Sequence, residues 1–198
     1  MKILLATRNR GKLLELQTLL RDLDIQLIGL DEVPVRGEPE EIGETFSENA
    51  HIKAAYYARA AGLPVIADDS GISVEALSGA PGVYSARYAG KKARDAANNQ
   101  KLLQAMQGVT DRRARFICAI VLVMPDGKFI EAEGVCEGEI LEEMRGVKGF
   151  GYDPLFYVPE YQATFAEIDA DSKNKISHRG RAIRRLKDLL PAFLASAE

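Results

Sequence analysis

The sequence predicts an α/β fold built on a mixed β-sheet. Three observations carry that expectation. A short apolar strand, KILLA (2–6), passes through a polar loop into an amphipathic helix, the strand–loop–helix opening of such folds. A second helical stretch leads into another buried strand, VIA (65–67). Two long strand-like segments, RARFICAIVLVM (113–124) and KFIEAEGVCEGEI (128–140), are joined by Pro125-Asp126-Gly127, a turn that makes them antiparallel neighbours.

The elements follow in chain order. In GKLLELQTLLRDL, Leu13, Leu16, Leu20 and Leu23 recur at helical spacing and give one apolar face. IQLIGL reads as a second strand, and VPVRGEPEEIGET as a loop rich in Pro, Gly and Glu. Thr45 and Glu48 have the spacing of a capping box, so a helix starts there and runs to Gly62. Beyond VIA, SGAPGVYSARYAG (78–90) is glycine-punctuated and irregular, and ARDAANNQKLLQAM is a helix. GVKGFGYDPLF (146–156) is a loop entering a short strand. HRGRAIRRLKDLL closes the chain as a helix with Ile183, Leu186 and Leu190 on one face. No repeat, low-complexity tract or linker interrupts the pattern.

With 198 residues, 46% of them hydrophobic, the chain has enough for a sizeable core in one large domain or two closely joined lobes. Its net charge of −3 argues against a general nucleic-acid binder. The basic residues gather at both ends, at Arg8, Arg10 and Lys12 and again from Lys173 to Arg185, which fits a small anionic ligand better than a long polyanion. Two cysteines outside any CxxC pair and two histidines cannot build a zinc site of the usual kind. Cys118 and Cys136 are expected as reduced core residues of a cytoplasmic protein. The apolar part of MKILLATRNRGK is too short for a signal peptide. No run approaches the roughly 20 apolar residues of a membrane helix.

TRNRGK (7–12) lies between a strand and its helix, where backbone N–H groups and the helix dipole favour an anion. Arg8, Arg10 and Lys12 stand at the wrong end of a helix for dipole stability, which makes sense around a polyphosphate. It is not a P-loop, because Ala6 and Leu13 occupy positions that need Gly and Ser or Thr. SHRGR (177–181) repeats the anomaly, with His178 and Arg179 at a helix start, Ser177 as a candidate N-cap and Lys173 just before. One shared anion explains both better than two accidents. Arg181, Arg184 and Arg185 are read as a solvated face.

Asn49 and Lys53 share a helix face in ENAHIKA and could reach a phosphate or water; His51 points elsewhere and is structural. In FGYDP (150–154), Phe150 and Tyr152 could sandwich a planar base, or form a core pair around a turn. VIADDSG (65–71) ends an apolar run in two carboxylates. It is either a solvated turn or a site that needs Asp68 and Asp69 for a cation or a reacting water. Within a regular strand the two side chains would face opposite ways. Two cationic helix starts, an aromatic loop and an acidic strand end together suit a nucleoside triphosphate with Mg²⁺, a hard cation that prefers oxygen donors.

The chain resembles the inosine triphosphate pyrophosphatase family in six ordered blocks between residues 7 and 182: TRNRGK, TFSENAHIKA, VIADDSG, GAPGVYSARYAG, FGYDPLF and SKNKISHRGRA. One departure stands at Ile42 of EEIGETF, where bacterial relatives usually carry Thr. The resemblance implies a two-lobed fold, a long mixed β-sheet flanked by helices, with the active site in a cleft between the lobes, and a homodimer. It implies Mg²⁺-dependent hydrolysis of ITP, dITP and XTP to the monophosphate and pyrophosphate, clearing deaminated purines from the nucleotide pool. Carried over by position, it makes Asp69 the proton acceptor and a metal ligand, Glu40 the other metal carboxylate, and Asp68 a support. It gives substrate contacts to Thr7, Arg8, Asn9, Arg10, Gly11, Lys12, Ser70, Phe150, Gly151, Tyr152, Asp153, Lys173, His178 and Arg179. Asn49 and Lys53 take supporting roles. Neither nucleic acid nor membrane is an expected partner.

Two other readings stand beside this one. A non-catalytic nucleotide sensor would keep the basic and aromatic elements but could dispense with Glu40, Asp68 and Asp69. A Maf-like pyrophosphatase for modified nucleotides would share an early phosphate loop, but FGYDP and SHR favour the purine branch.

Overall fold

The computed structural model describes residues 1–195. Its sheet has seven strands in the order β2-β1-β3-β4-β5-β6-β7: β1 (Lys2–Leu5), β2 (Gln26–Ile28), β3 (Val65–Val74), β4 (Arg113–Val123), β5 (Phe129–Ile140), β6 (Phe156–Val158) and β7 (Ala163–Thr164). β1 pairs in parallel with β2 (Ile3 opposite Leu27) and with β3 (Leu4 opposite Val65). β6 pairs antiparallel with β5 (Ile140 opposite Phe156) and with β7. The sheet is therefore mixed. Among the described residues five α-helices accompany it: α1 (Arg10–Leu20), α2 (Phe46–Ala61), α3 (Asp95–Ala105), α4 (Ala170–Ile176) and α5 (His178–Ala195).

The contacts divide the chain into two compact units. The first holds residues 1–69, 118–134 and from 179 onward; the second holds 70–117 and 135–178. The chain passes from one to the other inside β3, β4 and β5, and at the start of α5. In the first unit, Ile3 and Leu5 of β1, Ile66 of β3 and Cys118, Ile120 and Leu122 of β4 pack with Leu16 and Leu20 of α1 and with Ile183, Leu186 and Leu190 of α5. The period-2 alternation of a strand turns Leu4, also fully buried, to the opposite face. In the second unit, Ile72, Val74, Leu102, Phe116, Tyr152, Phe156 and Phe165 form a separate core.

The local chemistry expected at α2 is present. Thr45 accepts from the Glu48 N–H while Glu48 reaches back to the Thr45 N–H, and Gly62 closes the helix at φ +65°. The two cysteines are buried and not joined in a disulfide. No helix among the described residues is long and apolar enough to cross a membrane.

Three expectations need correction. β3 does not end at Ala67 but runs straight through the acid pair to Val74, so of the two readings of VIADDSG the solvated turn falls. α4 and β7 were not foreseen. The last helix does not stop at Leu190 but continues through Pro191 to Ala195. A proline there lacks the N–H that would reach back to the Lys187 carbonyl.

Candidate active site

β3 is buried along nearly its whole length, as expected for a central strand flanked on both sides. Two carboxylates in such a strand are costly unless their charges are met. Asp68 is fully buried, and its Oδ2 receives Lys12 Nζ at 2.9 Å and Arg179 Nη2 at 3.0 Å. Arg179, itself fully buried, also pairs through Nη1 with Glu15 of α1. Thus Lys12 and Arg179, from the two cationic helix starts, meet on the chain's own Asp68, where a bound anion was expected. Burial opposes ionisation of this carboxyl, but Lys12, Arg179 and Lys53 outweigh it and hold it well below the usual carboxylate range. The same carboxylate and Glu15 overcome the burial of Arg179 and raise its proton affinity.

Asp69, one residue on, behaves oppositely. Burial pushes its proton affinity up; Lys12 and Lys53 pull it down, and Glu41 and Asp68 push it up again. The net direction is upward. Lys53 of α2 donates to the Asp68 carbonyl at 3.0 Å and pairs with Glu41 at 2.7 Å. Burial would lower its proton affinity, yet Asp68, Glu41 and Asp69 together raise it.

The TRNRGK loop is shaped by its own side chains. Asn9 N-caps α1 by accepting from the Lys12 N–H at 3.1 Å, and Thr7 Oγ1 accepts from the Asn9 N–H. No acidic residue occupies the first turn of α1. Arg8 makes an exposed ion pair with Glu38 at 2.7 Å, Arg10 is exposed, and Gly11 is half-buried. Asn49 is fully buried and clamps Gly43, accepting from its N–H at 2.8 Å; its amide anchors the loop. Glu40 is exposed and makes no hydrogen bond or ion pair among the described residues. His51 packs edge-on against Phe129.

In the second unit, Ser70 is half-buried at the unit's first position. The FGYD loop is built around Asp153, whose Oδ2 accepts from the Phe150 N–H at 2.9 Å and holds Lys173 Nζ at 2.5 Å. Gly149 lies at φ +73°, and a Cβ there would meet Asp153 Oδ2 at 2.0 Å, so glycine is required. Lys173 also sits 4.8 Å from the Phe150 ring centroid, within cation–π reach. Tyr152 is not a second stacking plane. It is a core residue whose hydroxyl donates to the Ser85 carbonyl at 2.8 Å, and burial raises its proton affinity. Phe150 alone is half-buried. His178 is buried and stacks on Phe116, centroids 4.6 Å apart and planes within 9°.

The structure therefore joins Lys12, Lys53, Asp68, Asp69 and Arg179 in one unit, and Phe150, Asp153 and Lys173 in the other. It adds two participants that sequence reasoning did not single out. Glu41 stood undistinguished beside Glu40 in EPEE. Glu15 is one acid on an amphipathic helix, signalled only by its three-residue spacing from Lys12, which puts both on one face.

The Ham1 family profile matches residues 3–189. A dITP/XTP pyrophosphatase of Desulforamulus reducens is 52% identical over 192 residues, covering 96% of each chain. A HAM1 protein from Coxiella burnetii superposes with a TM-score of 0.89 at 49% identity, over 97% of this chain and 99% of its own. The Ham1 protein of Staphylococcus aureus gives a TM-score of 0.86 at 43% identity over the full length of both.

Proposed function

We propose that this chain, which belongs to the Ham1 family, hydrolyses the triphosphates of deaminated purines, dITP, XTP and ITP, to the monophosphate and pyrophosphate. The observation that carries the reading is the split acid pair of β3. Asp68 is neutralised by Lys12 and Arg179, while Asp69 keeps a raised proton affinity beside Lys53. A carboxylate tuned upward is better matched to taking a proton near neutral pH than an ordinary one. Asp69 is the proton acceptor for the water that attacks the α-phosphorus.

The remaining residues bind and hold charge. N–H groups of Arg8, Arg10 and Gly11 at the start of α1 take phosphate oxygens, and the side chains of Thr7, Asn9, Arg8, Arg10 and Ser70 frame them. Lys12 and Lys53 neutralise charge gathering on the leaving pyrophosphate. Asp68 serves as the anchor that keeps Lys12 and Arg179 in place.

The donor set fits Mg²⁺, which commonly takes one or two carboxylates and completes its shell with substrate phosphates and water. Asp69 is such a donor, and Glu40 on the 33–45 loop is the second. When bound, Mg²⁺ would supply charge neutralisation across the phosphates.

In the second unit, the Phe150 ring offers a stacking plane for the base, framed by Gly151, Tyr152 and Asp153, with Lys173 beside it. His178 acts as a donor for the 6-oxo acceptor of hypoxanthine and xanthine, while Arg179, buried against Asp68 and Glu15, holds Asp68 in place. Adenine would meet a donor with its own amino donor, a mismatch that rejects strongly. The reading includes a homodimer working in the cytoplasm.

The test is a panel of dITP, XTP, ITP, ATP and GTP with Mg²⁺, with pyrophosphate and orthophosphate measured separately. Pyrophosphate from dITP, XTP and ITP is expected. Orthophosphate release would indicate γ-phosphate cleavage and overturn the reading; binding without product would leave a sensor.

A further inference from the structure

The FGYD loop is held by a helix that none of the site motifs includes. Gly151, at φ +62°, has both of its own peptide groups engaged by α3. Its N–H donates to Asp95 Oδ2 at 2.7 Å, and its carbonyl accepts from Asn99 Nδ2 at 2.7 Å. Asp95 and Asn99 stand one helical turn apart, so the spacing of α3 delivers an acceptor and a donor to one residue. Asn99 is 2% exposed, and its amide oxygen has no hydrogen-bond partner among the described residues. A buried unpaired acceptor is destabilising; the residue keeps its place through its donor, shared between Gly151 and the Asp95 carbonyl.

Its neighbour Asn98 does similar work on another segment. It accepts from the Ala89 N–H at 2.8 Å and donates to the Ala86 carbonyl at 3.2 Å. Ser85, just before, receives the Tyr152 hydroxyl. α3 thus grips both the loop and the segment to which the loop's tyrosine is tied.

We infer that Asp95 and Asn99 are positioning residues that fix the Phe150 ring for the purine base by immobilising Gly151, the residue next to it. The inference rests on the proposed function, since it presumes that Phe150 receives a base. Two fixed peptide planes directly after Phe150 restrict the ring's backbone, while Asp153 fixes its N–H from the other side. Neither Asp95 nor Asn99 touches substrate.

The test uses the full chain with Asp95→Ala, Asp95→Asn and Asn99→Ala. Asparagine at 95 retains an acceptor for the Gly151 N–H, whereas alanine does not. Both changes remove the same helix-dipole charge, and Asp95→Ala alone also loses the hydrogen bond to Gly151. Amide exchange at Gly151 should rise about tenfold in Asp95→Ala and stay near wild type in Asp95→Asn, the loss of one hydrogen bond. With ITP, KM should rise about tenfold in Asp95→Ala and Asn99→Ala, with kcat within about twofold, and Asp95→Asn should restore it. Unchanged exchange in Asp95→Ala would overturn the grip. Faster exchange with unchanged KM, or equal KM defects in Asp95→Ala and Asp95→Asn, would overturn the positioning role. If the wild type releases no pyrophosphate from ITP, the functional reading itself fails and the base-positioning role falls with it, a result seen without any variant.

Discussion

Two neighbouring aspartates in one strand are driven in opposite directions by what each side chain faces. Asp68 meets Lys12 and Arg179 and is held ionised; Asp69 is dominated by burial and holds its proton more tightly. The signs separate fold from activity on acidification. A carboxyl with a depressed folded value stabilises above its unfolded value of about 3.9 and loses that contribution as pH falls through the depressed value. Asp69 has a raised folded value, so it protonates first, without loss of stability, and the proton acceptance proposed for it stops. A pH–rate profile should therefore fall at higher pH than the thermal unfolding temperature does, leaving an acidic window in which the protein is folded and inactive. Coincident losses would contradict this assignment. Removing the anchor has a different cost. Asp68→Asn leaves Lys12 and Arg179 without their shared carboxylate and should destabilise by about 3–5 kcal/mol in denaturant unfolding, the range for breaking a buried pair.

The elements that carried their own punctuation were readable, and those that depended on partners were not. α2 was legible at both ends, from Thr45 and Glu48 to Gly62, because capping is local chemistry. β3 was legible only to Ala67. Asp, Ser and Gly form turns in isolation, and only burial within the sheet and cations from α1, α2 and α5 turn DDSG into strand. α4 has seven residues and owes its start to Asp169, whose side chain accepts from the Ser172 N–H, a signal too short to stand out. Ser177, expected to cap α5, stands directly before it and also ends α4, donating its N–H to the Lys173 carbonyl. At the same scale, Gly71 shows why β3 keeps a glycine after its polar triplet. A Cβ there would lie 2.3 Å from Ser85 Oγ and 2.6 Å from the Gly82 carbonyl. Gly71→Ala should cost about 1–3 kcal/mol as overpacking, measured by thermal or denaturant unfolding; an unchanged midpoint would show that the segment yields freely.

At the scale of the whole molecule, the mixed sheet and its helices follow from the order of buried runs and amphipathic stretches, and the Ham1 relatives share that fold along nearly the full chain. The residues of the candidate site were legible as types: cations at helix starts, acids at a strand end, an aromatic loop. Their partners were not, because Glu15, Asp68 and Arg179 are brought together from positions far apart in the sequence. In the proposed mechanism Asp69 is kept in a buried carboxylate position that burial disfavours, for chemistry and not for the fold. Asp69→Asn, assayed for pyrophosphate release from ITP and for thermal unfolding in parallel, tests it most directly. Turnover should fall by about 10²-fold or more, while the unfolding temperature stays equal or rises, since a neutral amide replaces a charge disfavoured by burial. Turnover at the wild-type rate, or a fold that collapses without this carboxylate, would contradict it.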